Sequence, residues 1–244
     1  MSRIGLGTNR LTDTAENRRF LQEAVAAGVD FIDTAHLYTS GESERAIGNA
    51  LAPLRSDLTV ASKGAYSRGT GPDDLRRHID ESRERLRTDR IDLYYVHRIH
   101  PQNSVESMVA VLDEARAAGK IDRAGVSEVS IEELALARTV MPIAAVQNEY
   151  SVAQRKHDEV VDYCTEHEIL FVPFFPLRGD LEGLAEVAAA HGATPQQVKL
   201  AWLLRRSPMM LPIPGTLSIQ HLRDNLRALE LELTDAEFDR LRDA

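Results

Sequence analysis

Short apolar runs alternate with longer stretches whose apolar residues recur every three or four positions, along the whole chain. The short runs, bounded by Gly, Asp, Asn or Ser, read as buried strands and the longer stretches as amphipathic helices. Strands are expected at 4–7, 31–32, 58–62, 91–96, 121–126, 143–146, 169–172 and 210–213. The first helix, about 15–27, puts Phe20, Leu21, Ala24 and Val25 on one face and stops at Gly28. The second begins near Glu42 and carries Ala46, Ile47, Ala50, Leu51 and Leu54. Pro72 opens a third with the stripe Leu75, Ile79 and Leu86, and a fourth carries Val105, Met108, Val109 and Leu112 before Gly119. Ser130-x-x-Glu133 is a capping box for the fifth, and the sixth spans about 157–168. A helix at about 181–190 follows, then one opened by Thr194-Pro195 with Gln197 three residues after the Thr. Ser218 caps a helix to about 229, and Thr234-x-x-Glu237 caps the last.

Strands that alternate with helices imply a parallel sheet. Eight such units in 244 residues, with no linker or low-complexity run, predict an α/β fold. They favour a single-domain (β/α)8 TIM barrel over residues 1–244. No G-x-G-x-x-G follows the first strand, so the open dinucleotide-binding sheet loses its main support. The net charge of −9 argues against a nucleic-acid surface, and no apolar stretch is long enough for a signal peptide or a membrane span. Cys164 is the one cysteine, so an intrachain disulfide is impossible and a cytoplasmic home is expected.

In a barrel of this kind the C-terminal strand ends share one mouth. Those positions here are Thr8-Asn9, Asp33, Lys63, His97, Ser127, Gln147, Phe174 and Gly215-Thr216, with Tyr38 five residues past Asp33. An acid ending a core strand needs a partner, and Lys63 is the available cation. A lysine beside a tyrosine stabilises the phenolate and should move Tyr38 toward useful acidity. His97 can orient a carbonyl oxygen by hydrogen bonding. The set suits protonation of an oxygen that becomes an alkoxide, as in hydride addition to an aldehyde or ketone. Each residue alone has a plainer reading: a solvated lysine, a structural histidine, a packed tyrosine. Their joint placement at matching strand ends reverses that. His97-x-x-His100 is the only hook for a metal hydrolase, and the other strand ends lack the ligands such a site needs; no metal is expected.

F-I-D-T-A-x-x-Y-x-x-G-x-S-E at 31–44, ASKG at 61–64, LYYVHR at 93–98, GVS at 125–127, VQNEYS at 146–151, FFPL at 174–177 and IPGT at 213–216 follow in order and in register with the strands. Together they resemble the aldo-keto reductase superfamily over residues 4 to about 229. HRIHP, GVSEVS and FFPL resemble its pyridoxal reductase-like branch. The resemblance implies a catalytic tetrad of Asp33, Tyr38, Lys63 and His97, a small carbonyl substrate, and NADPH as cofactor, with NADH possible. It also implies that Ser127 and Gln147 hold the nicotinamide carboxamide and that Phe174 stacks on the ring. Pro176, Leu177, Gly215, Thr216, Ser218, His221, Asp224 and Asn225 would complete the cofactor site. A cofactor-binding regulatory subunit on the same barrel is the alternative.

The chain departs from the family pattern in places. Glu128 stands where many members have Asn, and an ionised carboxylate cannot donate to the carboxamide. Phe175 replaces a frequent Ser, and Gly215 and His221 stand in place of a frequent Lys and Arg. The usual N-terminal hairpin and the long substrate loops are not found. That predicts an open mouth, or a pocket completed by another chain.

Overall fold

The computed structural model describes residues 2–244. Seven parallel strands run in chain order across one curled sheet: β1 (Leu6–Gly7), β2 (Phe31–Asp33), β3 (Thr59–Gly64), β4 (Ile91–Val96), β5 (Ile121–Ser127), β6 (Ala145–Gln147) and β7 (Leu170–Phe171). Helices follow each: α1 (Ala15–Ala26), α2 (Glu42–Leu51), α3 (Pro72–Leu86), α4 (Val105–Ala117), α5 (Ile131–Val140) and α6 (Asp158–Glu166). After β7 come α7 (Leu184–Ala190), α8 (Pro195–Arg206), α9 (Ile219–Leu226) and α10 (Asp235–Asp243). The capping boxes at Ser130/Glu133, Thr194/Gln197 and Thr234/Glu237 form as the sequence indicates.

The expected eighth strand at 210–213 is the main correction. An extended segment lies between β7 and β1 and bonds to both, yet it is not a regular strand. Leu211 N–H donates to Phe171 O at 2.9 Å, Gly5 N–H to Pro212 O at 3.0 Å and Gly7 N–H to Pro214 O at 3.3 Å. In a parallel pair, the N–H and C=O of one residue face the same neighbour. Pro212 and Pro214 face β1 and lack the N–H, so that ladder keeps only half its bonds. The backbones also approach closely, and a Cβ on Gly7 would sit 2.7 Å from Ile213 O. The segment therefore joins β1 through its carbonyls alone, while its Leu211 N–H still serves β7.

Two apolar layers follow from the alternation of side chains along each strand. The larger packs the outer strand faces against the helices. The smaller fills the ring interior with Phe31, Ala61, Leu93, Tyr95, Ala145, Val172, Leu211 and Ile213. Tyr95 is fully buried there, and a Cβ on Gly125 would meet its ring at 2.4 Å, so β5 needs glycine at that point. Burial of an apolar side chain such as Phe31 or Leu93 in this layer stabilises by roughly 1.5–3 kcal/mol.

Several boundaries shift for local reasons. β3 continues through Gly64, so Lys63 lies within the strand. α2 stops at Leu51, leaving Leu54 outside, because Pro53 cannot continue it. α7 begins only after Gly183, whose left-handed backbone (φ 80°) breaks the run expected from 181. α9 ends at Leu226 and a 3-10 turn, Arg227–Glu230, completes the segment.

Candidate active site

The C-terminal ends of the strands open into a cavity of about 840 Å³. Register places Lys63 beside Tyr95, Asp33 beside Gly7 and Ala61, and Ser127 directly beside Gln147. Asp33 and Lys63 are essentially excluded from solvent, at 1% and 0% exposure, and His97 is 5% exposed. Lys63 Nζ donates to Asp33 Oδ1 at 2.7 Å, to Thr34 O at 2.7 Å and to the Tyr38 hydroxyl at 3.4 Å. Gln147 Nε2, from across the ring, donates to the other Asp33 oxygen at 2.8 Å. The Tyr38 and His97 rings meet edge-on with centroids 6.0 Å apart.

Tyr38 is brought to the mouth by an irregular turn. Thr39, Ser40 and Gly41 all have positive φ (47°, 56° and 85°), which reverses the chain before α2 starts. Side chains in and beside the sequence motif hold that turn. Thr39 Oγ1 donates to Leu11 O at 2.6 Å and accepts from Ser43 N–H at 3.1 Å. Ser43 Oγ lies 2.8 Å from Thr8 Oγ1 and 2.7 Å from Thr34 Oγ1, joining the ends of β1 and β2 to α2. Glu44 is fully buried between Ser62 and Arg85. The Ser and Glu of the motif are thus scaffold, and Asp33 and Tyr38 face the cavity.

Burial raises the Asp33 carboxyl above its usual range, and Lys63 and Gln147 offset only part of this. Burial works against the Lys63 ammonium, but Asp33 and Tyr38 outweigh it and the amine stays protonated. Tyr38 corrects the sequence argument. Burial raises its pKa more than Lys63 lowers it, so the hydroxyl keeps its proton at neutral pH. Lys63 acts instead on the phenolate formed once a proton has left. His97 is pushed well below its ordinary value by burial and by the Lys63 and Arg98 charges, so the ring is neutral at neutral pH.

Ser127, Gln147, Phe174, Pro176, Leu177, Gly215, Thr216 and His221 line the cavity with Asp33, Tyr38 and His97. Ser218, Asp224 and Asn225 do not. Ser218 Oγ caps α9 by accepting from His221 N–H at 3.4 Å. Asp224 bonds Gln220 and Arg227, and Asn225 is buried. Glu128 is turned away as well: burial works against its charge, but His157, the Glu149 N–H that donates to it at 2.6 Å, and Lys156 at 3.3 Å together hold its pKa at about 2. The helix α9 begins at the cavity, so its free N–H groups and positive dipole end suit a phosphate.

Sequence reasoning missed Tyr66 and Arg98, which line the cavity next to His97, and Arg10, Leu37 and Arg178 at its rim. Arg98 was within reach, since it directly follows the strand-end histidine. Tyr66 sits in a loop with no periodic signal. His100, the second histidine of the discounted metal motif, bonds the Tyr66 carbonyl at 2.7 Å. Among the described residues no three potential metal ligands come together.

The model of the Aldo/keto reductase family matches residues 3–184 and 177–244. The chain is 37% identical over 233 residues to pyridoxine 4-dehydrogenase of Escherichia coli (strain K12), covering 88% of this chain and 82% of that protein. It is 32% identical over 278 residues to an NADP(+) aldo-keto reductase of Schizosaccharomyces pombe, covering 93% and 82%. Among solved structures, a thermostable aldo-keto reductase bound to the inhibitor epalrestat superposes with a TM-score of 0.93 at 31% identity, over 100% of this chain and 95% of that one. An aldo/keto reductase from Klebsiella pneumoniae, in complex with NADP and acetate, gives 0.87 at 30% identity, over 99% and 90%.

Proposed function

The chain belongs to the aldo/keto reductase family, and from that premise we propose that it reduces an aldehyde or ketone to the alcohol with NADPH, Tyr38 serving as the general acid. One observation carries this reading: a single buried ammonium, Lys63 Nζ, contacts Asp33, Thr34 O and the Tyr38 hydroxyl at the floor of a cavity. A protonated tyrosine is the form a proton donor needs. As its proton passes to the substrate oxygen, the phenolate left behind lies beside a fixed positive charge and is stabilised. Asp33, held by both Lys63 and Gln147, keeps the ammonium in place. Neutral His97 directs the carbonyl oxygen toward Tyr38 with its ring N–H.

The donor set fits the cofactor. Three arginines and the start of α9 line a cavity in which Asp33, the one carboxylate among the described lining residues, is already neutralised by Lys63. An anionic dinucleotide suits that charge pattern. Bound there, NADPH supplies the hydride. Ser127 and Gln147 would hold the carboxamide, Phe174 and the 176–177 backbone the ring and its flank. Gly215, Thr216, Ser218 and His221 would take the phosphates, with Asp224 and Asn225 beyond them toward the adenine. With the Gln147 amide group already donating to Asp33, its carbonyl oxygen is the atom left to accept from a ligand. The test is aldehyde-dependent oxidation of NADPH by the purified chain, run beside cofactor binding by fluorescence. Turnover of some member of an aldehyde panel that includes pyridoxal is expected. Tight cofactor binding with no turnover of any carbonyl would overturn the reading.

A further inference from the structure

Among the described residues that line the cavity, Arg98 is the half-buried cation with no ion pair: Glu128 is near enough to feel its charge, but its oxygens go to Glu149 N–H, Lys156 and His157. Of the other arginines that line the cavity, Arg178 is paired with Glu149 and Arg10 is exposed at the rim. Arg98 spends one nitrogen, Nη1, on two neutral acceptors: His97 O at 2.7 Å and Ser127 Oγ at 3.0 Å. Its Nε and Nη2 make no hydrogen bond to any described residue. Its guanidinium is wedged between two rings, 5.5 Å from the Tyr66 centroid and 5.6 Å from that of Phe174. A shortage of acids does not explain this, since the chain has 38 acidic residues against 29 basic ones. A guanidinium partly withdrawn from water, with a free edge in a cavity, is matched by an oxyanion.

Topology says which anion. Arg98 follows β4, and the loop 214–221 follows the closing segment between β7 and β1. Counted round the ring, β4 lies opposite that segment. Phosphates at the start of α9 therefore sit across the mouth from Arg98. What lies close to Arg98 is the proton-transfer end. The Tyr66 ring links the two, 4.7 Å from the His97 ring on one side and facing Arg98 on the other. The cavity as a whole has apolar wall: Leu37, Tyr66, Phe175 and Leu217, four of the exposed large hydrophobic side chains, line it, with Leu217 on the side across from Arg98.

We propose that Arg98 makes this protein selective for carbonyl compounds that carry a carboxylate or phosphate on a flat apolar body, with the carbonyl at Tyr38 and His97 and the anion on the free edge of Arg98. The proposal rests on the reductase reading above. It assigns Arg98 to substrate specificity, and Tyr66 to the wall on which the substrate body lies.

The test uses the full chain with NADPH and three aldehydes of similar length: 4-formylbenzoate, 4-formylphenyl phosphate and the neutral methyl 4-formylbenzoate. The readout is the ratio of kcat/KM for each anion to that for the ester, with the KM for NADPH alongside. Charge-assisted hydrogen bonding should favour at least one anion on the order of tenfold. Arg98→Met should bring the ratio to about one, and Arg98→Lys should keep part of it, because the charge remains and the fork is lost. Which anion gains more identifies the group. An equal loss on charged and neutral aldehydes in Arg98→Met would make Arg98 only a support for Ser127. A raised KM for NADPH with an unmoved ratio would make it a cofactor residue. Either result overturns the proposal and leaves the reductase reading intact. Failure to turn over any aldehyde would overturn both.

Discussion

Lys63→Met removes the ammonium and keeps a side chain of similar length. Asp33 then remains 1% exposed, with the Gln147 amide at 2.8 Å as its one side-chain donor. Removing one member of a buried ion pair costs about 3–5 kcal/mol, because the survivor is a desolvated charge. In a domain of this size that corresponds to a fall in Tm of roughly 6–20 °C at neutral pH. The carboxyl can escape part of this by taking a proton. Burial already raises its pKa in the wild type, and losing Lys63 raises it further above the unfolded value of about 3.9. The folded variant then holds a proton that the unfolded chain has released. Its stability is greatest at acid pH, falls as pH rises through the folded-state pKa, and levels off once Asp33 ionises. Thermal unfolding of wild type and Lys63→Met across pH should therefore show a gap that widens from acid to neutral. Adding Asp33→Asn to Lys63→Met removes the stranded charge and should restore most of the lost Tm without restoring activity. A double variant no more stable than Lys63→Met would show that Asp33 does not carry the cost, and the pairing argument would fail.

Two further outcomes follow from the same geometry. Because Tyr38 is raised and His97 well lowered, kcat/KM for reduction should be flat from about pH 6 to about pH 9; an acid limb near the ordinary histidine value would mean that His97 is not the buried neutral group described. His221→Arg at the start of α9 should widen the preference for NADPH over NADH, measured as the ratio of their kcat/KM values, since Arg carries charge at every pH and grips phosphate with two donors; an unchanged ratio would put the 2′-phosphate elsewhere.

Strand and helix order was legible from periodicity, and three capping boxes from single residues, because both are local signals. The seat of Lys63 followed from its place in an apolar run. What sequence could not show was set by distant partners. Pro212 and Pro214 look compatible with a strand until the direction of each missing N–H is known. Lys63 seemed able to acidify Tyr38 because charge is visible in a sequence and desolvation is not; burial proved the larger effect. Nor could sequence show that Glu128, with a positive φ of 55°, spends its carboxylate on Lys156 and His157, which leaves the position without the donor that an Asn would supply. Arg98 stood in plain view beside His97, but that no described acid forms an ion pair with it, the nearby Glu128 being held by Lys156 and His157, is a fact of three-dimensional neighbours.

The central claim is that Tyr38 gives its proton to the substrate oxygen. Tyr38→Phe keeps the ring that packs near Lys63 and His97 and removes only the hydroxyl. Steady-state reduction of the best aldehyde by wild type and variant, with NADPH affinity measured by fluorescence on the same preparations, tests it most directly. Turnover should fall by about two to four orders of magnitude. NADPH affinity should stay within about twofold, since the hydroxyl is assigned to the substrate. Near-wild-type turnover by Tyr38→Phe would show that another group delivers the proton.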